Sequence, residues 1–228
     1  MNAAGRRHNS ASPNEITARR MTGQIGSGRA GIAPTYHTVW YVDLMSTRER
    51  WLTAGLEALA ADGASGVRAD RIAARLNLTK GSFHHHFAGV EDYRRALLER
   101  HEQDQLALLD RLAAELEQVA AEAALGALTD RLTGLFDADL ERAVRSWAVT
   151  DPAARAVQER LDGARLEFLR RTWARILRDE RRVHIAALVP HLIAIGASMA
   201  QPRLPAEDLR AVFDLLAELA PGVRIPEA

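Results

Sequence analysis

The chain has 228 residues and no cysteine, room for one sizeable domain or two small ones, with no disulfide framework and no thiolate chemistry. Hydrophobic residues make up 47% and aromatics 5%, which argues against global disorder; an Ala- and Leu-rich composition with few β-branched runs favours helices over sheets. Net charge is zero, yet residues 1–101 hold 14 Lys+Arg against 9 Asp+Glu and residues 102–228 hold 16 against 21, the balance of a head that meets a polyanion and a body that does not.

Residues 1–44 are rich in Gly, Ser, Asn and Arg, lack helical periodicity, and read as a flexible leader. The more apolar YHTVWYVDLM ends on Met45, directly before the first convincing helix start. The functional chain is expected to begin at Met45, the leader being an over-extended reading frame; an intact mass from the native source that includes the leader overturns this. Neither Arg6-Arg7 nor Arg19-Arg20 is followed by an apolar core, so no signal peptide is indicated and the expected location is the cytoplasm.

From Ser46 the pattern is helical. Ser46 with Glu49 three residues on makes a capping box, and Leu52, Leu56 and Leu59 mark one face. Asp62-Gly63 permits a left-handed stop. A short helix over 69–76 buries Ile72, Ala73 and Leu76, and Asn77 tolerates a left-handed turn. Thr79 caps a third helix, TKGSFHHHF, and Glu91 opens a fourth after Ala88-Gly89. Two short helices joined by a tight turn on a longer first helix form a helix-turn-helix arrangement, here over 68–87. Phe83 and Phe87, four apart, supply the buried face of its second helix. Lys80, the only lysine in the chain, then faces outward with Ser82, His84 and His85, and His86 lies to one side.

The head spans 45–105, and residues 106–228 read as a larger helical body, so the expected fold is all-α. Breaks are expected near Gly126, Asp137 and Thr150. Asp151-Pro152 pairs an N-cap with proline at the first helical position, opening a helix that buries Val157, Leu161, Phe168, Leu169, Trp173 and Ile176 and ends in the charged residues 178–182. A helix over 183–200 sets Leu188, Leu192, Ile195 and Met199 on one face, with Pro190 as its kink or true start. Its apolar run, interrupted by Pro190 and His191, falls short of the roughly 20 residues a membrane span needs. A last helix from Pro205 carries Leu209, Val212, Phe213, Leu216 and Leu219 and stops at Pro221-Gly222.

Three consecutive histidines suggest metal, but neighbours on a helix point about 100° apart and cannot converge on one ion. A helical metal pair needs i, i+4 spacing; four before His84 stands Lys80 and four after stands Ala88. No metal or cofactor is expected. No nucleophile has a convincing base and no glycine-rich phosphate loop appears, so the chain does not read as an enzyme. A helical small-molecule enzyme and a non-specific DNA-binding protein are the alternatives; the first lacks a catalytic constellation and the second needs a more basic surface. His184 and His191, seven apart, read as core or interface residues. Trp147, Phe168 and Trp173 are candidates to line a pocket in the body or to fill its core.

Residues 48–98, RERWLTAGLEALAADGASGVRADRIAARLNLTKGSFHHHFAGVEDYRRALL, resemble the DNA-binding head of the TetR family of bacterial transcriptional regulators. The resemblance rests on Gly63, Ile72-Ala73, Asn77, Thr79-Lys80-Gly81 and Phe87 in register. It implies a ligand-responsive regulator, most often a repressor, binding double-stranded DNA as a homodimer at a palindromic operator. The body would bind an unknown small-molecule effector and dimerise through the helices near 183–200 and 205–220. On DNA, Lys80 would meet a guanine edge or a phosphate, and Ser82 and His85 base edges or a thymine methyl. Gly81 would let the helix start approach the backbone, and Thr79, Arg68 and His86 would contact phosphates, which position rather than specify. The chain departs from the family in four places: Asn77 stands where glycine is usual, His84 where tyrosine contacts DNA, and Val90 where lysine is usual. Asp70, where some members have arginine, would repel phosphate unless Arg68 or Arg71 offsets it.

Overall fold

The computed structural model describes residues 46–121, 123, 124, 126–128 and 137–219, and among them every regular element is helical. The leader, Met45 and the expected stop at Pro221-Gly222 lie outside the described residues. The head is built from α1 (Thr47–Asp62), a 3-10 turn (Ala64–Gly66), α2 (Ala69–Leu76), α3 (Lys80–His86) and the start of α4 (Val90–Glu117). Further helical residues lie between 121 and 128. The body continues with α5 (Ala138–Ala148), α6 (Pro152–Ala174), α7 (Glu180–Met199) and α8 (Ala206–Leu219).

Local chemistry sets the ends of the head helices. The Ser46 hydroxyl accepts from the Glu49 amide, but the Glu49 carboxylate pairs with Arg100 on α4 instead of closing the capping box. Gly63 takes a left-handed φ of 68° and its amide reaches the Leu59 carbonyl, a conformation costly for a residue with a Cβ. Helix α2 ends on Asn77 at φ 53° and ψ 43°, and the Leu78 amide bonds the Ala73 carbonyl across the turn, as a Schellman-type stop requires. The Arg50 guanidinium donates to the free Leu76 carbonyl at 3.3 Å. These last contacts set the C-terminal end of α2, which spans Ala69–Leu76 as expected.

The head and part of the body share one core. Leu52, Leu59, Ile72, Phe83, Phe87 and Leu97 pack in the same cluster as Val144, Trp147, Val157 and Leu161 of α5 and α6. Its centre is aromatic: Trp51 meets Phe83 edge-on at 5.3 Å, and Tyr93 lies 4.7 Å from Phe87. A second cluster holds Leu109, Leu112, Leu116, Leu128, Phe168, Leu169 and Ala187. Helix α6 packs on α4, α5 and α7, and α5 packs on α1. Helix α4 runs through residue 105 without a break.

Several expectations in the body are corrected. Gly126 is helical, and the turn falls instead at residues 118–120. Asp151 caps α6 as expected, and Asp137, near which a break was expected, caps α5; each accepts two backbone amides. Ile176 lies past the end of α6 and is exposed. Helix α7 starts three residues early, at Glu180, because the Asp179 carboxylate caps it by accepting from the Arg182 amide. Pro190 sits inside it. At 20 residues and a mean hydropathy of 1.4, α7 is long and apolar enough to cross a membrane, yet it packs on α5 and α6 and buries Val183, Ala187 and His191 there. Leu192 and Met199 on α7, and Val212 on α8, are exposed.

Candidate nucleic-acid interface

Helix α3 is anchored on one side and open on the other. The Thr79 hydroxyl accepts from the Ser82 amide at 3.3 Å, while Phe83 and Phe87 are buried. Tyr93 fixes the platform beneath them by donating to the Trp51 carbonyl at 2.5 Å. With that face locked, Thr79, Lys80, Gly81, His84 and His85 are exposed and His86 is half-buried. The His84 ring stands edge-on to Phe83, and the His85 and His86 rings lie 4.9 Å apart at a steep angle. Ser82 is half-buried and accepts a long 3.4 Å bond from the Trp51 indole, so only part of its hydroxyl is open outward. A Cβ on Gly81 would meet only the Thr79 hydroxyl at an ordinary 3.6 Å, so nothing inside the chain demands glycine there.

The structure pairs Arg68 with Asp70 through two bonds of 2.9 and 3.2 Å. The Arg68 hydrogen bond holds the Asp70 carboxyl below its usual range, and the pair adds no net charge to this surface. Arg71, next along α2, is exposed and has no ion pair among the described residues. Arg48 at the start of α1 lies over the Phe87 ring at 5.6 Å, beside the end of α3. Both cations were missing from the residues expected at the interface. Arg71 was legible as an unpaired charge on the exposed side of a short amphipathic helix; Arg48 was not, because its position depends on how α1 packs.

In the body, none of Trp147, Phe168 and Trp173 lines the cavity found between α5 and α8. Trp147 is buried in the shared core, Phe168 belongs to the second cluster, and Trp173 packs against that cluster half-buried. The cavity, about 340 Å³, is bounded by α5, α6, α7, α8 and the 200–205 segment. Its polar wall is a buried ion cluster. Arg165 donates to both Glu141 oxygens at 2.6 and 2.8 Å and to the Gln105 side chain at 2.9 Å; Arg145 binds Asp162 at 2.6 and 2.8 Å. Burial opposes charge on Glu141, but the hydrogen bonds and charge of Arg165, with Arg145, outweigh it and hold the carboxyl below its usual range. His191 faces the same cavity, and burial pushes its pKa down. Among the described residues no group of three or more His, Asp or Glu is placed to hold a metal ion.

The profile of bacterial regulatory proteins of the tetR family matches residues 52–96, which run from α1 through the helix-turn-helix into α4. No curated protein matches the chain. Solved structures share the fold over most of its length. A TetR-family transcriptional regulator from Streptomyces coelicolor aligns with a TM-score of 0.61 at 21% identity, covering 75% of this chain and 92% of its own. A transcriptional regulator from Rhodococcus sp. Rha1 aligns with a TM-score of 0.57 at 21% identity, over 80% of this chain and 100% of its own. A protein from Saccharomonospora viridis, described as a transcriptional regulator and solved with choline, aligns with a TM-score of 0.58 at 19% identity, over 75% of this chain and 95% of its own. The profile match thus covers the helix-turn-helix head, and the likeness to these structures shows that the chain shares their fold through the body.

Proposed function

We propose that the protein is a sequence-specific transcriptional regulator, a repressor released by a small molecule, that binds a palindromic operator as a homodimer. The observation that carries this reading is α3: a short helix pinned by Phe83 and Phe87, with Lys80, His84 and His85 on its open face. Lys80 and His85 meet base edges in the major groove, with Ser82 contributing the open part of its hydroxyl. Thr79, His86, Arg71 and Arg48 hold phosphates, and Gly81 leaves room for the backbone to come close. Arg68 acts mainly by cancelling Asp70. The protein works by binding rather than by turnover, in the cytoplasm, where the DNA is.

The second copy is argued from α7 and α8. Val189, Leu192 and Met199 on α7 and Val212 and Leu215 on α8 are exposed, with Leu192 at 58% and Leu215 at 54%. Several large apolar side chains left exposed on two helices are what an interaction surface presents. Pairing two such faces holds two heads roughly 34 Å apart, one turn of DNA. The choline bound to the Saccharomonospora viridis relative supports a small-molecule effector in the body. Such a ligand releases DNA by favouring a head spacing that no longer matches successive grooves. A footprint of the purified protein on DNA flanking its own gene, across salt concentrations, tests the reading. Symmetric, site-selective protection is expected; none at any salt overturns it.

A further inference from the structure

We infer that the body cavity takes a small amphipathic monoanion, its carboxylate head against Arg142 and Arg203 and its apolar body against Ile195, Leu209 and Phe213. This rests on the reading of the body as an effector-binding unit and names the effector's class. Charge is the first argument. On the inner wall Arg145 and Arg165 are matched by Glu141 and Asp162, whose oxygens already accept guanidinium hydrogen bonds. Toward the 200–205 segment, Arg142 and Arg203 share the single carboxylate of Asp139. The wall therefore holds one guanidinium more than it holds carboxylates. A cation entering finds each of these carboxylates already engaged by arginine. An oxoanion finds a guanidinium fork with bonding capacity to spare.

The second argument is a polar group open to the cavity. His191 lines it, nine-tenths of the residue is buried, and no hydrogen bond within the described residues engages its ring nitrogens. A ligand hydroxyl or carbonyl reaching this wall can bond the ring in place of water. Burial also pushes the His191 pKa down, which disfavours the charged form of the ring. Size narrows the class. A cavity of about 340 Å³ is at the small end of ligand pockets, roughly 300–1,000 Å³, and suits a short acyl chain or a single substituted ring.

Calorimetric titration and thermal melts of the full chain with octanoate, octyltrimethylammonium and 1-octanol test this. Octanoate should bind and raise Tm, with the cation and the alcohol at least tenfold weaker. Arg203→Ala, in an exposed segment, and Arg142→Ala should each weaken octanoate at least tenfold, while Arg203→Lys recovers part of the loss. Circular dichroism checks that the variants fold; should Arg142→Ala not, Arg203→Ala carries the comparison. Equal or tighter binding of the cation or the alcohol, octanoate binding unchanged in Arg203→Ala, or no binding of any probe overturns the inference. A protein that binds octanoate but protects no DNA overturns the regulator and leaves the anion site standing. Symmetric protection without octanoate binding does the reverse.

Discussion

At Lys80 the chain spends its only lysine on the first residue of α3, exposed and without an ion pair among the described residues. Lys80→Ala should weaken operator binding by about 1–3 kcal/mol, measured by fluorescence anisotropy at fixed salt. A phosphate contact also lowers the salt slope by about one unit, whereas a base contact relaxes specificity at one position. Unchanged affinity removes Lys80 from the interface. Which α3 residues face outward was legible beforehand, because Phe83 and Phe87 define the inner side and the helical period fixes the rest. The Arg68–Asp70 pair was legible only as an open question. Two residues apart across a helix start, they are no standard helical pair, and only the extended backbone of Arg68, with φ −120° and ψ 117°, brings them together.

The head helices depend on one close approach that periodicity hides. Gly55 lies inside α1, where glycine costs about 1 kcal/mol relative to alanine. A Cβ there would lie 2.1 Å from the Tyr93 hydroxyl and 2.7 Å from Leu97. That hydroxyl reaches over Gly55 to the Trp51 carbonyl, and burial drives its pKa well above the usual tyrosine range. Gly55→Ala should therefore destabilise the protein by about 1–3 kcal/mol, as overpacking does, despite alanine's better helix propensity. Urea unfolding followed by circular dichroism reads this; a variant as stable as the parent shows that α4 shifts freely on α1. The leucine face of α1 was readable, but Trp51, one position off it, was not singled out, although it centres the aromatic cluster. Helix ends were readable where a side chain or a left-handed residue sets them, at Ser46, Gly63, Asn77, Thr79, Asp137 and Asp151. Gly126 misled because a lone glycine is tolerated inside a helix. The cavity wall was not readable: Glu141, Arg145, Asp162 and Arg165 look like solvated charges until α5 and α6 are packed.

At the scale of the whole molecule, the two ends make separate predictions. If α7 and α8 dimerise, Leu192→Glu with Leu215→Glu should give a monomer by light scattering and lower operator affinity at least a hundredfold, with helicity kept. A dimer that survives both changes places the interface elsewhere. Between head and body lies His101 on α4, 2% exposed and with neither ring nitrogen hydrogen-bonded among the described residues. Glu141, Arg165, Asp104 and Glu102 surround it electrostatically, but burial is the largest effect and pushes its pKa down; His191 is depressed in the same direction. The unfolded chain protonates both histidines near pH 6.5, while the folded chain resists. Below that value the unfolded state binds more protons, so stability is full above about pH 6.5 and declines as pH falls toward the depressed folded values. Glu141 and Asp162, held low by their arginines, lose their contributions only in the more acidic carboxylate range. Urea unfolding at pH 7.5 and 5.5 therefore isolates the histidines. His101→Leu should flatten part of that slope, the double variant with His191→Leu most of it, and a slope unchanged in both would mean that neither buried ring resists protonation in the folded protein.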